Sequence, residues 1–194
     1  MRPPLLRLFL LAALCCWLAT NAAAATLAGE TLPDTYSVDG KSLVLNGIGV
    51  RTLTIFAIRA YVAALYLPNP SHDAQQILAS PGPKVILLKF IRAASKSRVE
   101  RQYREGEEKN CGDGGCDRSD EADFERLVAA APAVAAGDTS AYVFTGKRVR
   151  VFANDRLIDE FTNQDLAYRL LSGFIGNRPP SQKLRRQLLG LPDD

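Results

Sequence analysis

Residues 45–67 read LNGIGVRTLTIFAIRAYVAALYL, an apolar run rich in β-branched and aromatic residues and free of proline. That composition suits the pleated, buried surface of a sheet. Set in it are two glycines (Gly47, Gly49), two arginines (Arg51, Arg59) and two tyrosines (Tyr61, Tyr66). A guanidinium inside so apolar a run must find an acceptor or reach water, because an unpaired buried charge is very costly. An acidic or carbonyl-bearing ligand is one such acceptor, so Arg51 is the first candidate functional residue.

The first residues read as a leader rather than as part of the fold. Arg2 and Arg7 form a short positive region, residues 8–18 are apolar, and an alanine run follows Thr20-Asn21. Ala23-x-Ala25 fits the small-residue cleavage rule, which predicts a secretory signal peptide over residues 1–25, a single domain over 26–194 and a periplasmic or secreted location. The apolar run is short for a membrane span. Cys15 and Cys16 raise a lipoprotein alternative, against which Leu14 stands where a small residue is wanted. Removing Arg2 and Arg7 takes the formal charge from +3 to +1. No dense Lys/Arg face is interleaved with aromatics, so the chain carries no nucleic-acid signal. The few positive charges near the C-terminus, Lys183, Arg185 and Arg186, give at most a weak hold on a membrane surface.

Cleavage leaves two cysteines, Cys111 and Cys116, flanking Gly112-Asp113-Gly114-Gly115. In an exported chain the simplest reading of so close a pair is a disulfide pinning a loop; free thiols and a metal site are the alternatives. The chain has one histidine, His72, so a tetrahedral zinc set is hard to assemble and no metal or organic cofactor is expected. His72 beside Ser71 and Asp73 reads as a surface helix start.

Along the chain, residues 35–38 and 41–50 form strands joined by Asp39-Gly40, a hairpin signal. The glycines in the second are placed for a bulge or a close backbone approach. Residues 52–67 are the strongest strand, and Pro68-Asn69-Pro70 ends it. Ser71 caps a short helix, and residues 84–91 (KVILLKFI) form a strand covered on both faces. Ser97 with Glu100 opens a charged, solvated helix to about Lys109. Ser119 opens the next helix. Strands at 139–145 and 148–153, a short one at 157–158, a helix from Thr162 to about Phe174 and a last helix from Gln182 to Leu189 complete the order. Hairpins interspersed with helices define an α+β domain, an antiparallel sheet with a layer of helices on one side.

The pattern Leu45-x-Gly47-x-Gly49-x-Arg51 followed by Tyr61-Val62-x-x-Leu65-Tyr66 is similar to the chalcone isomerase family, and looks most like its bacterial exported branch. Residues 84–91, Gly137-Asp138, Leu171, Gly176-x-x-Pro179, Lys183-Leu184 and Leu188-Leu189-Gly190 extend the resemblance over nearly all of the mature chain. It implies an open-faced β-sandwich holding a lipophilic ligand between sheet and helices. In the plant enzymes of that family the arginine matching Arg51 polarises a ketone. In its non-enzymatic fatty-acid binders that arginine and the tyrosine matching Tyr61 hold the carboxylate. The enzymes add Thr, Tyr and Asn side chains that this chain does not reproduce, since Thr52, Thr54 and Tyr103 stand elsewhere relative to Arg51. That departure favours binding over catalysis.

The resulting expectation is an exported, non-enzymatic protein whose apolar cleft takes a small lipophilic carboxylate or phenolic ligand through Arg51 and Tyr61. Two alternatives stay open. One is an intramolecular lyase acting on a chalcone-like enone, with Arg51 polarising the carbonyl. The other is a ligand-free interaction protein in which Arg51 meets water or an internal carboxylate and Tyr61 is an ordinary core residue. Arg59 reads as a solvent-side strand residue and Tyr66 as core or rim. One geometric condition attaches to the site. Residues ten apart on a straight strand lie roughly 33 Å apart, so Arg51 and Tyr61 meet only if the chain turns between them.

Overall fold

The computed structural model describes residues 24–53, 57–111 and 121–192. In chain order these form β1 (Ala24–Leu27), β2 (Glu30–Pro33), β3 (Thr35–Val38), β4 (Lys41–Leu53), β5 (Ile58–Leu67), α1 (Ala74–Ala79) and β6 (Lys84–Phe90). Then follow α2 (Lys96–Cys111), α3 (Glu121–Ala130), β7 (Thr139–Thr145), β8 (Arg148–Ala153), β9 (Arg156–Thr162), α4 (Gln164–Ile175) and α5 (Gln182–Leu188). Strands β3 to β9 make one seven-stranded sheet in sequence order, every neighbour antiparallel. β1 and β2 pair separately. The expected α+β class, a large antiparallel sheet with a layer of helices, is what the chain adopts.

The tight hairpins follow from local chemistry. Asp39 and Gly40 sit at φ 48° and 78°, and Asn154 and Asp155 at 48° and 60°. Paired positive φ values are what two-residue hairpins with the twist of the flanking strands require.

Each face of the sheet has its own core. On one face Leu65, Ile86, Leu88, Phe144 and Phe161 pack against Leu127, Leu166, Ile175, Leu184 and Leu188 from the helices. On the other, Val62, Ala64, Tyr66, Val85 and Val143 are covered by Leu32 of β2 and by Val38 and Leu43 of the β3–β4 hairpin. Tyr66, fully buried, donates its hydroxyl to Pro33 O at 2.8 Å and packs on Tyr36 at 5.6 Å between centroids. β5 and β6 are therefore covered on both sides, as the unbroken apolar pattern of residues 84–91 predicts.

One extra residue decides what β4 shows to each face. Leu45 pairs with Tyr66, but Gly47 pairs with Leu65, so Asn46 is a bulge. Before it, odd-numbered Leu43 and Leu45 join the core away from the helices; after it, even-numbered Ile48 and Val50 do. Because side chains alternate along a strand, one inserted residue transfers the rest to the opposite face. Gly47, Gly49 and Arg51 are thereby turned toward the helices. The bulged Asn46 uses its side chain to donate to Leu188 O at 2.9 Å and to accept from Ser71 N at 2.7 Å.

The glycines let α5 lie directly on β4. A Cβ on Gly47 would stand 2.2 Å from Gln187 O, and one on Gly49 2.7 Å from the Gln187 side chain. Close packing and a bulge are thus both realised, side by side.

Some boundaries differ from expectation. The single strand over 52–67 is divided: β4 continues to Leu53, and the chain re-enters the sheet at Ile58 after Ala57 in the left-handed region at φ 50°. No glycine, proline or Asx marks this turn, so its residues read as strand. Asp73, not Ser71, caps α1, and Asn163, not Thr162, caps α4. β9 spans seven residues rather than two. The β1–β2 hairpin begins at Ala24, at the margin of the expected leader. The leader up to residue 23, Cys116 and Ser119 lie outside the described residues.

Candidate functional site

Arg51 and Tyr61 are Cα partners in the β4–β5 ladder. Directly opposed residues of an antiparallel pair project to the same face with Cβ atoms about 5 Å apart. The turn after Leu53 therefore meets the geometric condition that a straight strand could not. Both residues line a cavity of about 240 Å³ between the sheet and helices α2, α3 and α4.

Arg51 is half-buried and donates from Nη1 to Pro180 O at 2.9 Å, in the loop between α4 and α5. Among the described residues no carboxylate pairs with it. Among the described residues its other guanidinium donors have no partner. Tyr61 packs edge-on against Phe90, centroids 5.8 Å apart. Burial raises the pKa of its hydroxyl, and the neighbouring Arg51 charge partly opposes that rise. The group remains a donor throughout the physiological range. Among the described residues the Tyr61 hydroxyl has no hydrogen-bond partner.

The cavity wall is otherwise largely apolar: Leu53 and Ile58 at the β4–β5 turn, Leu88 and Phe90 of β6, Phe124 of α3, and Leu166, Leu170 and Phe174 of α4. Across it lies α2, a sixteen-residue helix with no fully buried residue. It is held by polar contacts instead. Glu107 pairs with Arg169 at 2.5 Å, Asn110 donates to Arg169 O at 3.1 Å, and Arg104 forks onto Glu125 at 2.5 and 2.8 Å. Deeper in the cavity the Tyr103 and Tyr142 hydroxyls are 2.5 Å apart. Burial pushes Tyr103 up to about 12 and Tyr142 well above its ordinary value. Arg169 also lies over the Phe124 ring, 5.4 Å from its centroid. Of the cations lining the cavity, Arg169 is matched by the Glu107 carboxylate, whereas among the described residues Arg51 is tied to a backbone carbonyl.

Sequence reasoning nominated Arg51 and Tyr61, and the fold brings them together. Tyr103, counted only as an available hydroxyl, lines the same cavity. Tyr142, Glu107 and Arg169 were missed. Tyr142 shares its face of β7 with Phe144, but nothing local relates residue 103 to 142 or residue 107 to 169. Thr52 is not in the wall, and Thr54 lies outside the described residues. Arg59 is exposed, Tyr66 belongs to the opposite core, and His72 is pinned through Nδ1 to Leu189 O at 2.5 Å.

The fold is a curled antiparallel sheet backed by helices over a largely apolar cavity, with Arg51 and Tyr61 in its wall. A sequence profile described as chalcone isomerase-like matches residues 24–190, and the chain belongs to that family. Among solved structures it is similar to a fatty-acid binding protein of Arabidopsis thaliana, at 12% identity and a TM-score of 0.70, covering 86% of this chain and 96% of that one. That likeness is one of fold. No curated protein sequence matches significantly.

Proposed function

We propose that the protein is an exported, non-enzymatic carrier of a small lipophilic acid, its carboxylate held by Arg51 and Tyr61 and its chain in the apolar cavity. The observation that carries this reading is Arg51, which lines the cavity and, among the described residues, is tied only to a backbone carbonyl. A planar fork of charged donors suits a carboxylate bidentately. Bringing the two charges together out of water is favourable only when each meets the other and the remaining lone pairs are satisfied. The Tyr61 hydroxyl adds one such bond. The chain contributes roughly 0.8 kcal/mol per buried methylene against the aliphatic and aromatic wall. The resemblance in fold to a fatty-acid binding protein supports the same class of ligand.

The test is organic extraction and mass spectrometry of the protein purified from its native host, alongside Arg51→Ala. A carboxylic acid should co-purify with the wild type at near-stoichiometric level and be absent from the variant, with the circular dichroism of the two alike. An equal amount of acid in both would refute the role of Arg51. Turnover of a chalcone by the wild type, lost in the variant, would replace the carrier with an isomerase.

A further inference from the structure

Resting on that reading, we propose that the rim of the cavity is a docking face for an anionic lipid bilayer, across which the acid passes between membrane and protein. The rim is Ile58 of β5, Arg92 just beyond β6 and Arg98 of α2, with Arg59 next to Ile58 on β5. Ile58, Arg92 and Arg98 line the cavity and are at the same time exposed, Ile58 to 39%, so the cavity opens to the surface there. Arg92 N donates to Ala60 O at 3.3 Å, which holds the end of β6 against the start of β5.

The charge of this rim is one-sided. Between Asp39 and Glu100 the chain holds a single acidic residue, Asp73, while Lys and Arg recur throughout. The sheet sorts those cations. Lys41 and Lys84 stand at one end of it, and Lys89 pairs with Glu30 at 3.4 Å. Arg59, Arg92 and Arg98 belong to the other end, and among the described residues no ion pair or hydrogen bond engages their side chains. Lys96, near them, is paired with Glu100 at 3.6 Å. The lining acids further along α2 are bonded elsewhere, Glu105 to Gln102 and Glu107 to Arg169. Two of the C-terminal cations are tied to backbone: Arg185 donates to Ile175 O and Arg186 to Pro192 O.

Guanidinium groups flanking an apolar side chain suit the bilayer interface. The apolar group enters the headgroup region, and the long cations reach the lipid phosphates. An acidic protein would match the charges but would offer the cavity's ligand no source. A lipophilic acid that leaves a bilayer for water exposes its whole chain, at a large cost in hydration. With the rim on the membrane, the chain moves from one apolar medium to another, and its carboxylate passes Arg92 and Arg98 on the way to Arg51. Each cation at an anionic surface strengthens attachment only about fivefold. Three of them hold the protein briefly, as a carrier that must depart with its ligand requires.

The experiment is co-sedimentation of the delipidated full chain with phosphatidylcholine vesicles, with and without phosphatidylglycerol at about one lipid in three. The wild type should bind the anionic vesicles and not the neutral ones. Binding should vanish between about 0.01 M and about 1 M salt, as the screening length falls from about 30 Å to about 3 Å. Arg92→Gln/Arg98→Gln should weaken it about twentyfold to thirtyfold, and Ile58→Ser several-fold. Lys41→Gln/Lys147→Gln removes the same charge at the opposite end of the sheet, from two exposed positions, and should bind like the wild type. Equal losses in the two double variants would overturn the proposal, since net charge alone would then govern binding. Equal binding of the wild type to both vesicles, or to neither, would also overturn it. Acid binding is read separately by calorimetry with tetradecanoic acid. A protein that binds the acid but not the anionic vesicles loses the docking face and keeps the carrier reading. One that docks in the expected pattern but binds no acid keeps the docking face and refutes the carrier.

Discussion

Arg51 and Tyr61, ten residues apart in sequence, face each other across the β4–β5 ladder, and a second bulge follows at once: Thr52 pairs with Arg59, leaving Ala60 unmatched. The unpaired Ala60 O accepts from Ile91 N at 2.9 Å and so ties the head-group end of the cavity to the end of β6. The pair is rigid because three strands fix it. Tyr61→Phe should therefore leave the fold unaltered, since the hydroxyl has no partner among the described residues. It should weaken binding of a saturated acid about tenfold to a hundredfold, the value of one hydrogen bond to a charged group. Thermal denaturation without ligand and calorimetry with it separate the two effects.

The depth of Gly47 beneath α5 predicts a structural phenotype. A methyl group there meets Gln187 O at 2.2 Å and Leu188 O at 2.5 Å, both backbone atoms that cannot swing aside. Gly47→Ala should lift α5, expose Leu184 and Leu188, and cost on the order of 2–4 kcal/mol in denaturant unfolding. The carbonyl that positions Arg51 belongs to the segment entering α5, so acid binding should weaken in the same variant. The same substitution at Gly137, φ 88° and with nothing near its Cβ direction, should cost only its backbone strain, about 1 kcal/mol.

Binding should depend on pH in one direction only. An acid paired with Arg51 has its pKa lowered in the complex. The affinity is therefore fully present above the free acid's pKa and is lost as pH falls through it, near pH 4–5 for a simple carboxylic acid. On the alkaline side Tyr61 stays protonated because burial raises its pKa. Titrations should give constant affinity from about pH 6 to pH 9 and a steep loss below about pH 4.

A buried lysine makes stability, rather than binding, sensitive to pH. Lys84, 5% exposed, donates to Ser80 O at 2.6 Å and Gly82 O at 3.1 Å, and burial lowers its pKa from 10.5 to about 8. The folded state then binds fewer protons than the unfolded state between those values, so stability rises with pH across that window. Relative to Lys84→Met, the wild type should gain on the order of 1–3 kcal/mol between pH 7 and pH 9.5. Urea unfolding at the two values gives the double difference. Stopping at pH 9.5 keeps the measurement below the range in which Tyr66, Tyr103 and Tyr142, all raised by burial, begin to favour the unfolded chain.

Much of this architecture was legible in local pattern. The hairpin at Asp39-Gly40, the doubly covered strand at β6, the helix start at Ser181 and the glycines against a neighbouring backbone each follow from residue chemistry within a few positions. The β4–β5 turn was illegible for the same reason: an apolar stretch ending in Ala57 carries none of the residues that mark turns, and only pairing with the next strand defines it.

The sequence by itself determined an α+β chain with an arginine stranded in apolar surroundings and a tyrosine downstream of it. Tertiary structure decided which way that arginine points, because the inserted Asn46 reverses the alternation of β4, and a local pattern of period two cannot show where the ladder slips. It also decided that Tyr103 meets Tyr142 and Glu107 meets Arg169. Contacts across such separations come from the packing of α2 and α4 over the sheet, and no spacing in the chain encodes them.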